Sequence, residues 1–301
     1  MDYLEWPNER IGDDRFHSWF HPGSNICLDF HGDPVNAQLV VLSDGNHHMA
    51  LGDCLTLFSI QNNSLSGIFY ATTPPGPIAN ILRAGGLQMG NLTISVCSHV
   101  FISPPKVLDG LVRDGLLSRH APFVRNQGNV LLVKKGNPKK ILQISDLARK
   151  DVRLFLSNPD TEKVSFSAYY DTLKALSSNQ AGFPDEKINK GQVVFGKLIH
   201  HREAPQAVAG DLADAAMVFY HLALRYIRIF PDLFEMVPLG GSIETPRPRP
   251  GNIISSTHLA LVGDGGEWGK KFAAFLKTDQ AADIYLHHGL LPLDQPETPW
   301  G

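Results

Sequence analysis

From Leu39 onward, short apolar runs alternate with amphipathic stretches. Leu39–Ser43 (LVVLS) is a continuous apolar run closed by Asp44-Gly45-Asn46, the pattern of a strand covered on both faces. Leu51, Cys54, Leu55 and Phe58 then recur at helical spacing. Ser66–Ala71 predicts the next strand and Thr72-Thr73-Pro74-Pro75-Gly76 a loop. Ile78, Ile81 and Leu82 form one face of a helix that stops at Gly85-Gly86. Leu92–Val96 and Val100–Ile102 read as strands. Ser103-Pro104-Pro105 opens a helix carrying Val107, Leu108, Leu111 and Val112, with Ser and Pro in favoured first-turn positions.

The second half keeps this rhythm. Asn129–Val133, Val152–Leu156, Val193–Leu198 and Ala215–Phe219 predict strands. Ala168, Tyr169, Leu173 and Leu176 line one helix, and Ala204–Leu212 predicts another. Pro246-Arg247-Pro248-Arg249-Pro250 is a stiff connection. Thr257–Val262 follows as a strand, then helices at Trp268–Leu276 and Gln280–His288. Strands alternating with helices of about ten residues predict an α/β protein with mostly parallel sheets. Residues 1–35 carry no sustained period and read as an extension.

Composition narrows the function classes. The chain has 301 residues, 43% of them hydrophobic and 19% charged, which suits a folded protein of about two domains. Lys and Arg total 27 against 30 Asp and Glu, so no basic excess points to nucleic acid. No apolar run approaches the roughly 18 residues of a membrane span. Three cysteines, Cys27, Cys54 and Cys97, make neither a disulfide framework nor zinc-finger spacing. The opening MDYLEWPNE lacks the basic and apolar regions of a signal peptide, so the sequence reads as cytoplasmic or as already processed.

No cofactor loop, P-loop, HExxH or nucleophile-elbow motif is present, so no cofactor and no enzymatic activity are expected. Gly263-Asp264-Gly265-Gly266 matches no phosphate-loop spacing and reads as a turn. Histidines cluster at His17/His21, His47-His48, His200-His201 with Glu203, and His287-His288. Adjacent histidines on a helix point about 100° apart and do not share a metal. His287-His288 suits a helix C-terminus. His47-His48 and His200-His201 sit at strand-to-helix junctions, where open α/β sheets bind ligands.

Four stretches carry a family resemblance. They are Val130–Leu176 (VLLVKKGNPKKILQISDLARKDVRLFLSNPDTEKVSFSAYYDTLKAL), the closing KKFAAFLKTDQAADIYLHHGL, Asn80–Gly85 (NILRAG) and Gly210–Ala216 (GDLADAA). In this order they resemble the type II periplasmic solute-binding proteins, in particular the molybdate/tungstate-binding branch. The likeness runs from about Leu39 to Leu290. It implies a two-lobed α/β fold with a ligand cleft between the lobes and closure by hinge bending. The first lobe would comprise residues 36–121 and 251–292, and the second residues 122–250.

The resemblance further implies an oxyanion such as molybdate or tungstate, held by hydroxyls and helix N-terminal N–H groups. By position, the ligand loops fall on Asn46, on Thr72 and Thr73 with Gly76, on Glu162 to Ser165, near His201, and on Phe219 or Tyr220. The expected partners are a small inorganic ligand and an ABC-type membrane permease, with the protein itself a monomer. Three departures matter. Asn46 stands where the family usually has serine, Pro74 and Pro75 remove two N–H donors, and Asp44, Asp160 and Glu162 add carboxylates that repel a dianion. Two alternatives follow. One is a divalent-metal site through His47, His48, His200 or His201 with Glu162. The other is a cytosolic enzyme or sensor on the same fold.

Overall fold

The structure is a computed structural model and describes residues 29–89, 92–177, 180, 182–197 and 199–293. His17, His21 and most of the extension expected over residues 1–35 lie outside the described residues. In chain order, the first segment holds β1 (Phe30–Gly32), β2 (Leu39–Ser43), α1 (His48–Gln61), β3 (Ile68–Thr72), α2 (Pro75–Ala84), β4 (Leu87–Met89), β5 (Leu92–Ile94), β6 (Val100–Ser103), α3 (Pro105–Arg113) and β7 (Ala121–Arg125). Then come β8 (Asn129–Lys134), β9 (Leu154–Leu156), α4 (Lys163–Leu176), α5 (Asp185–Asn189), β10 (Val193–Phe195), α6 (His200–Ala209), β11 (Ala215–Phe219), α7 (Tyr220–Ile229) and β12 (Phe234–Pro238). The chain closes with β13 (Ser256–Leu261), α8 (Gly266–Phe275), α9 (Asp279–His287) and β14 (Leu291–Pro292).

These elements form two compact units. One is split in sequence, Cys27–Arg125 with Ser256–Gly301; the other, Asn126–Ser255, is inserted between those segments. The split unit is built on a seven-stranded sheet in the order β1-β3-β2-β6-β13-β7-β14. The inserted unit has a five-stranded sheet in the order β10-β9-β11-β8-β12. Both sheets are mixed. Only β3-β2-β6 and β10-β9-β11 run parallel, and the remaining neighbours are antiparallel. The expectation of mostly parallel sheets is corrected here. β8 and β11 are apolar on both faces because helices cover both sides, yet they pair antiparallel, so double-faced burial reports cover and not strand direction. Pro122 hides β7 from the sequence pattern. Proline lacks a ladder N–H, and the pairing of β7 with β13 shifts register there.

Side-chain alternation divides the split unit's core in two. Val41 and Ile102 pack with Leu51 and Phe58 of α1, Phe272 of α8 and Tyr285 of α9. Leu42, Ala71 and Phe101 face the opposite side and pack with Ile78 of α2 and with Leu108 and Leu111 of α3. The inserted unit has one core, in which Leu131, Leu154 and Met217 of the sheet meet Tyr169 of α4, Val208 of α6 and Tyr226 of α7. In both units the parallel strands end at turns that enter helices. The polar residues considered next stand at these ends.

Candidate functional site

In the split unit, hydroxyls end three adjacent parallel strands. Ser43 closes β2 and pairs with Thr72 of β3, while Ser103 closes β6 beside it. Ser43 and Thr72 share the face covered by α1. Thr73 and Ser103 are one residue further along and turn to the α2/α3 face. The two helices on that face start alike, with Thr73-Pro74-Pro75 and Ser103-Pro104-Pro105. In each, proline takes the N-cap position with extended backbone, and no side chain caps the helix. Ser103 is therefore not the cap that its place before Pro-Pro suggests. Thr73 Oγ1 and Ser103 Oγ are fully buried and meet no hydrogen-bond partner among the described residues.

A relay of hydrogen bonds lies beside them. Ser43 donates to the Asp44 carbonyl at 3.1 Å, which leaves its oxygen to accept from His47 Nε2 at 3.0 Å. His47 Nδ1 then accepts from the Tyr285 hydroxyl at 3.0 Å. Burial holds the His47 imidazole below its usual pKa against the opposing pull of Asp44, while burial, Cys54 and Asp44 push Tyr285 well up. Asp44 caps the 3-10 turn Gly45–His47 by accepting from Asn46 N at 2.9 Å.

The inserted unit is built from charge. All residues from His200 to Val208 in α6 and from Tyr220 to Tyr226 in α7 are buried. The N-terminus of α6 is filled by two of the chain's own carboxylates. Glu162 accepts from His200 N at 3.1 and 3.2 Å and from His200 Nδ1 at 2.6 Å. Glu203 accepts from Lys197 N at 2.8 Å and Ile199 N at 2.9 Å. Because Nδ1–H faces Glu162, Nε2 accepts from the Tyr169 hydroxyl at 2.9 Å.

Pro205 explains a further bond. It lacks the N–H that would bind the His201 carbonyl four residues back, and the Tyr226 hydroxyl takes that carbonyl at 2.6 Å instead, tying α7 to α6. Arg202 and Arg225 are only 2% and 7% exposed. Burial first, then Arg202, His200 and Arg225, hold His201 well below the usual histidine pKa. At the carboxyl end of β9, Ser157 Oγ is another fully buried hydroxyl with no hydrogen-bond partner among the described residues.

Residues 98–291 match the family described as bacterial extracellular solute-binding protein. The chain belongs to this family. Solved structures share its type II periplasmic-binding-protein fold, among them the periplasmic molybdate-binding protein of Azotobacter vinelandii. That match has a TM-score of 0.61 at 15% identity and covers 85% of this chain and 100% of the other. The sulfate-binding protein SubI of Mycobacterium tuberculosis gives 0.58 at 16% identity over 85% of this chain and 87% of the other. An ABC transporter structure from Clostridium perfringens gives 0.51 at 10% identity over 85% of each. A search of curated proteins by sequence finds no match. Among the described residues, no helix is long and apolar enough to cross a membrane.

Each sequence-predicted position of this solute-binding protein now has a place. In the split unit, Asn46 gives its N–H to Asp44, and Thr72 Oγ1 lies 3.5 Å from the Asp29 carbonyl. Thr73 is buried at its strand end, and Gly76 is exposed in the first turn of α2. His48 Nδ1 donates to the Gly45 carbonyl at 2.8 Å. In the inserted unit, Ser165 is buried in the first turn of α4, and the Tyr220 hydroxyl donates to the Ile243 carbonyl at 2.7 Å.

The carboxylates of Asp44 and Glu162 serve as helix caps, and Asp160 stays in its exposed loop. His47 and His200 each have both ring nitrogens engaged by protein groups, so neither offers a lone pair to a metal. The His200 and His201 rings stand 82° apart, and among the described residues no three His, Cys, Asp or Glu side chains group as a metal site. The sequence reading missed Ser103, Ser157, Arg202, His221 and Arg225. Position at a strand end was the available signal for the two serines. Nothing local marks the arginines, whose burial comes from packing.

Proposed function

We propose that this solute-binding protein captures a small tetrahedral oxyanion of the molybdate, tungstate and sulfate class. The observation that carries the reading is the set of buried strand-end hydroxyls without partners, Thr73, Ser103 and Ser157. A hydroxyl left unpaired in the interior costs roughly 1–3 kcal/mol. An oxyanion is all acceptor, and a hydroxyl hydrogen bond to it regains that cost. In the split unit, the Asp44 carboxylate, which would repel such a ligand, is turned onto the chain's own Asn46 N–H. The sequence resemblance and the molybdate- and sulfate-binding neighbours support the same ligand class. Delivery to an ABC-type membrane permease completes the proposal, supported by the fold shared with an ABC transporter structure.

Calorimetry at pH 7.5 with molybdate, tungstate, sulfate, Zn²⁺ and Ni²⁺ tests the reading. One of the oxyanions binds, and Thr73→Val, Ser103→Ala and Ser157→Ala each weaken it about tenfold, the equivalent of one hydrogen bond to a charged group. Cation binding that disappears in a His47→Ala, His201→Ala variant, with no oxyanion bound, would overturn it.

A further inference from the structure

We propose that Glu162 is a resident anion that fills the anion-attracting N-terminus of α6 in the inserted unit and so sets which solutes the protein accepts. A helix N-terminus carries unpaired N–H groups and about half a positive charge, and it draws in carboxylates and oxyanions alike. Here that place at α6, a ten-residue helix, is held by a carboxylate from the start of another helix. Glu162 is 8% exposed, and its two oxygens take the His200 N–H and the His200 ring N–H. Tyr169 lies seven residues further along α4, on the same face, and its hydroxyl donates to the other ring nitrogen of His200. That bond fixes the ring with its Nδ1 proton toward Glu162. The carboxylate is thus met by two N–H donors in a fixed frame, as a bound carboxylate ligand would be. Glu203 occupies the donors just upstream, at Lys197 and Ile199.

The consequence for solute choice rests on the oxyanion reading above. With α6 already neutralised from within, an incoming solute in this unit is left the Ser157 hydroxyl, and it meets a standing negative charge at Glu162. Glu162 is therefore a specificity-determining residue that limits how much negative charge the unit tolerates.

Chemical rescue tests the first half. Glu162→Ala leaves a void of carboxyl size facing the His200 donors. Its thermal unfolding midpoint falls by several degrees, and millimolar formate restores most of the loss, while sodium chloride at equal ionic strength does not. Glu162→Gln loses less and does not respond to formate, because its amide fills the void. Formate no better than chloride in Glu162→Ala, equal formate responses in all three proteins, or failure of Glu162→Ala to fold at any formate concentration would each overturn the resident-anion assignment. The second half is read by titrating molybdate into Glu162→Gln. Affinity rises several-fold over the native protein, and an unchanged or lower affinity would overturn the specificity role. If the native protein binds no oxyanion while formate rescue holds, the solute reading fails and the resident anion stands.

Discussion

The split and inserted units place polar groups at equivalent points, the carboxyl ends of parallel strands, but they stabilise those groups by different means. In the split unit the means are neutral. A buried imidazole at His47 links two hydroxyls, and a single carboxylate, Asp44, caps one short turn. In the inserted unit they are ionic. Two carboxylates close one helix N-terminus, and two arginines and two further histidines lie in the first two turns of α6 and α7. Neutral relays cost less to bury and less to break than ionic ones. Ionic ones are expensive to desolvate and hold only while every partner is present. The two units should therefore respond differently to the same kind of substitution.

The largest expected effect breaks the comparison directly. Glu203→Ala removes a buried carboxylate that takes two backbone N–H groups and leaves both donors unsatisfied, which costs about 1–3 kcal/mol for each. Asp44→Ala in the split unit removes an ordinary cap, worth about 1 kcal/mol. Urea unfolding of both variants measures the gap, and equal losses would show that the ionic half is no more dependent on its charges than the neutral half.

A smaller effect sharpens the picture of how α6 and α7 are joined. Tyr226→Phe strands the His201 carbonyl that Pro205 leaves without a helix partner, at a cost of about 1–3 kcal/mol. Adding Pro205→Ala supplies the missing N–H, so the double variant is more stable than the sum of the two single changes predicts. A coupling of about 1 kcal/mol is expected in the double-mutant cycle. Strict additivity would mean that the Tyr226 hydroxyl does not substitute for the helix bond.

These cases also show what the sequence could reveal. The strands β2 and β6 and the helices α1, α8 and α9 were legible because their apolar positions keep a period that packing then uses. Thr73 stood out as a candidate because it follows a strand and precedes a helix. Ser103 has the same setting, yet its Ser-Pro-Pro context reads as a cap, and only the extended backbone at Pro104 shows otherwise. The start of α6 was placed late, at Ala204, because His200-His201-Arg202-Glu203 looks like solvent-facing polarity and Pro205 looks like a first-turn residue. The helix α7 was not placed, although Leu222, Ala223, Tyr226 and Ile227 recur at helical spacing, because His221 and Arg225 interrupt the apolar run. In both helices the polar residues are buried because distant parts of the chain supply their partners, as Glu162 does for His200 and Tyr226 for His201. No local pattern carries that information.

The smallest expected effect concerns pH and places both units on one scale. Burial lowers the pKa of His47 in the split unit and lowers that of His201 much further in the inserted unit. Each is a base depressed on folding, so between its folded pKa and about 6.5 the unfolded chain binds a proton that the folded chain refuses. Stability is therefore level above about pH 6.5 and declines as the pH falls below it. Each such histidine contributes a slope of at most about 1.4 kcal/mol per pH unit, and about 0.4 kcal/mol between pH 6.5 and 6.0, where the unfolded histidine is only partly protonated. The two differ in how far the decline runs. His47 stops contributing once the pH reaches its modestly lowered pKa, whereas His201 continues to lower pH because Arg202, His200 and Arg225 add to its burial. Urea unfolding at half-unit steps from pH 7.5 to 5.0 separates them. His47→Gln flattens only the upper part of the decline, and His201→Gln flattens it down to the lowest pH at which the protein stays folded. If the two variants flatten the same interval, the charges around His201 do not act on it, and the ionic character assigned to the inserted unit fails at its centre.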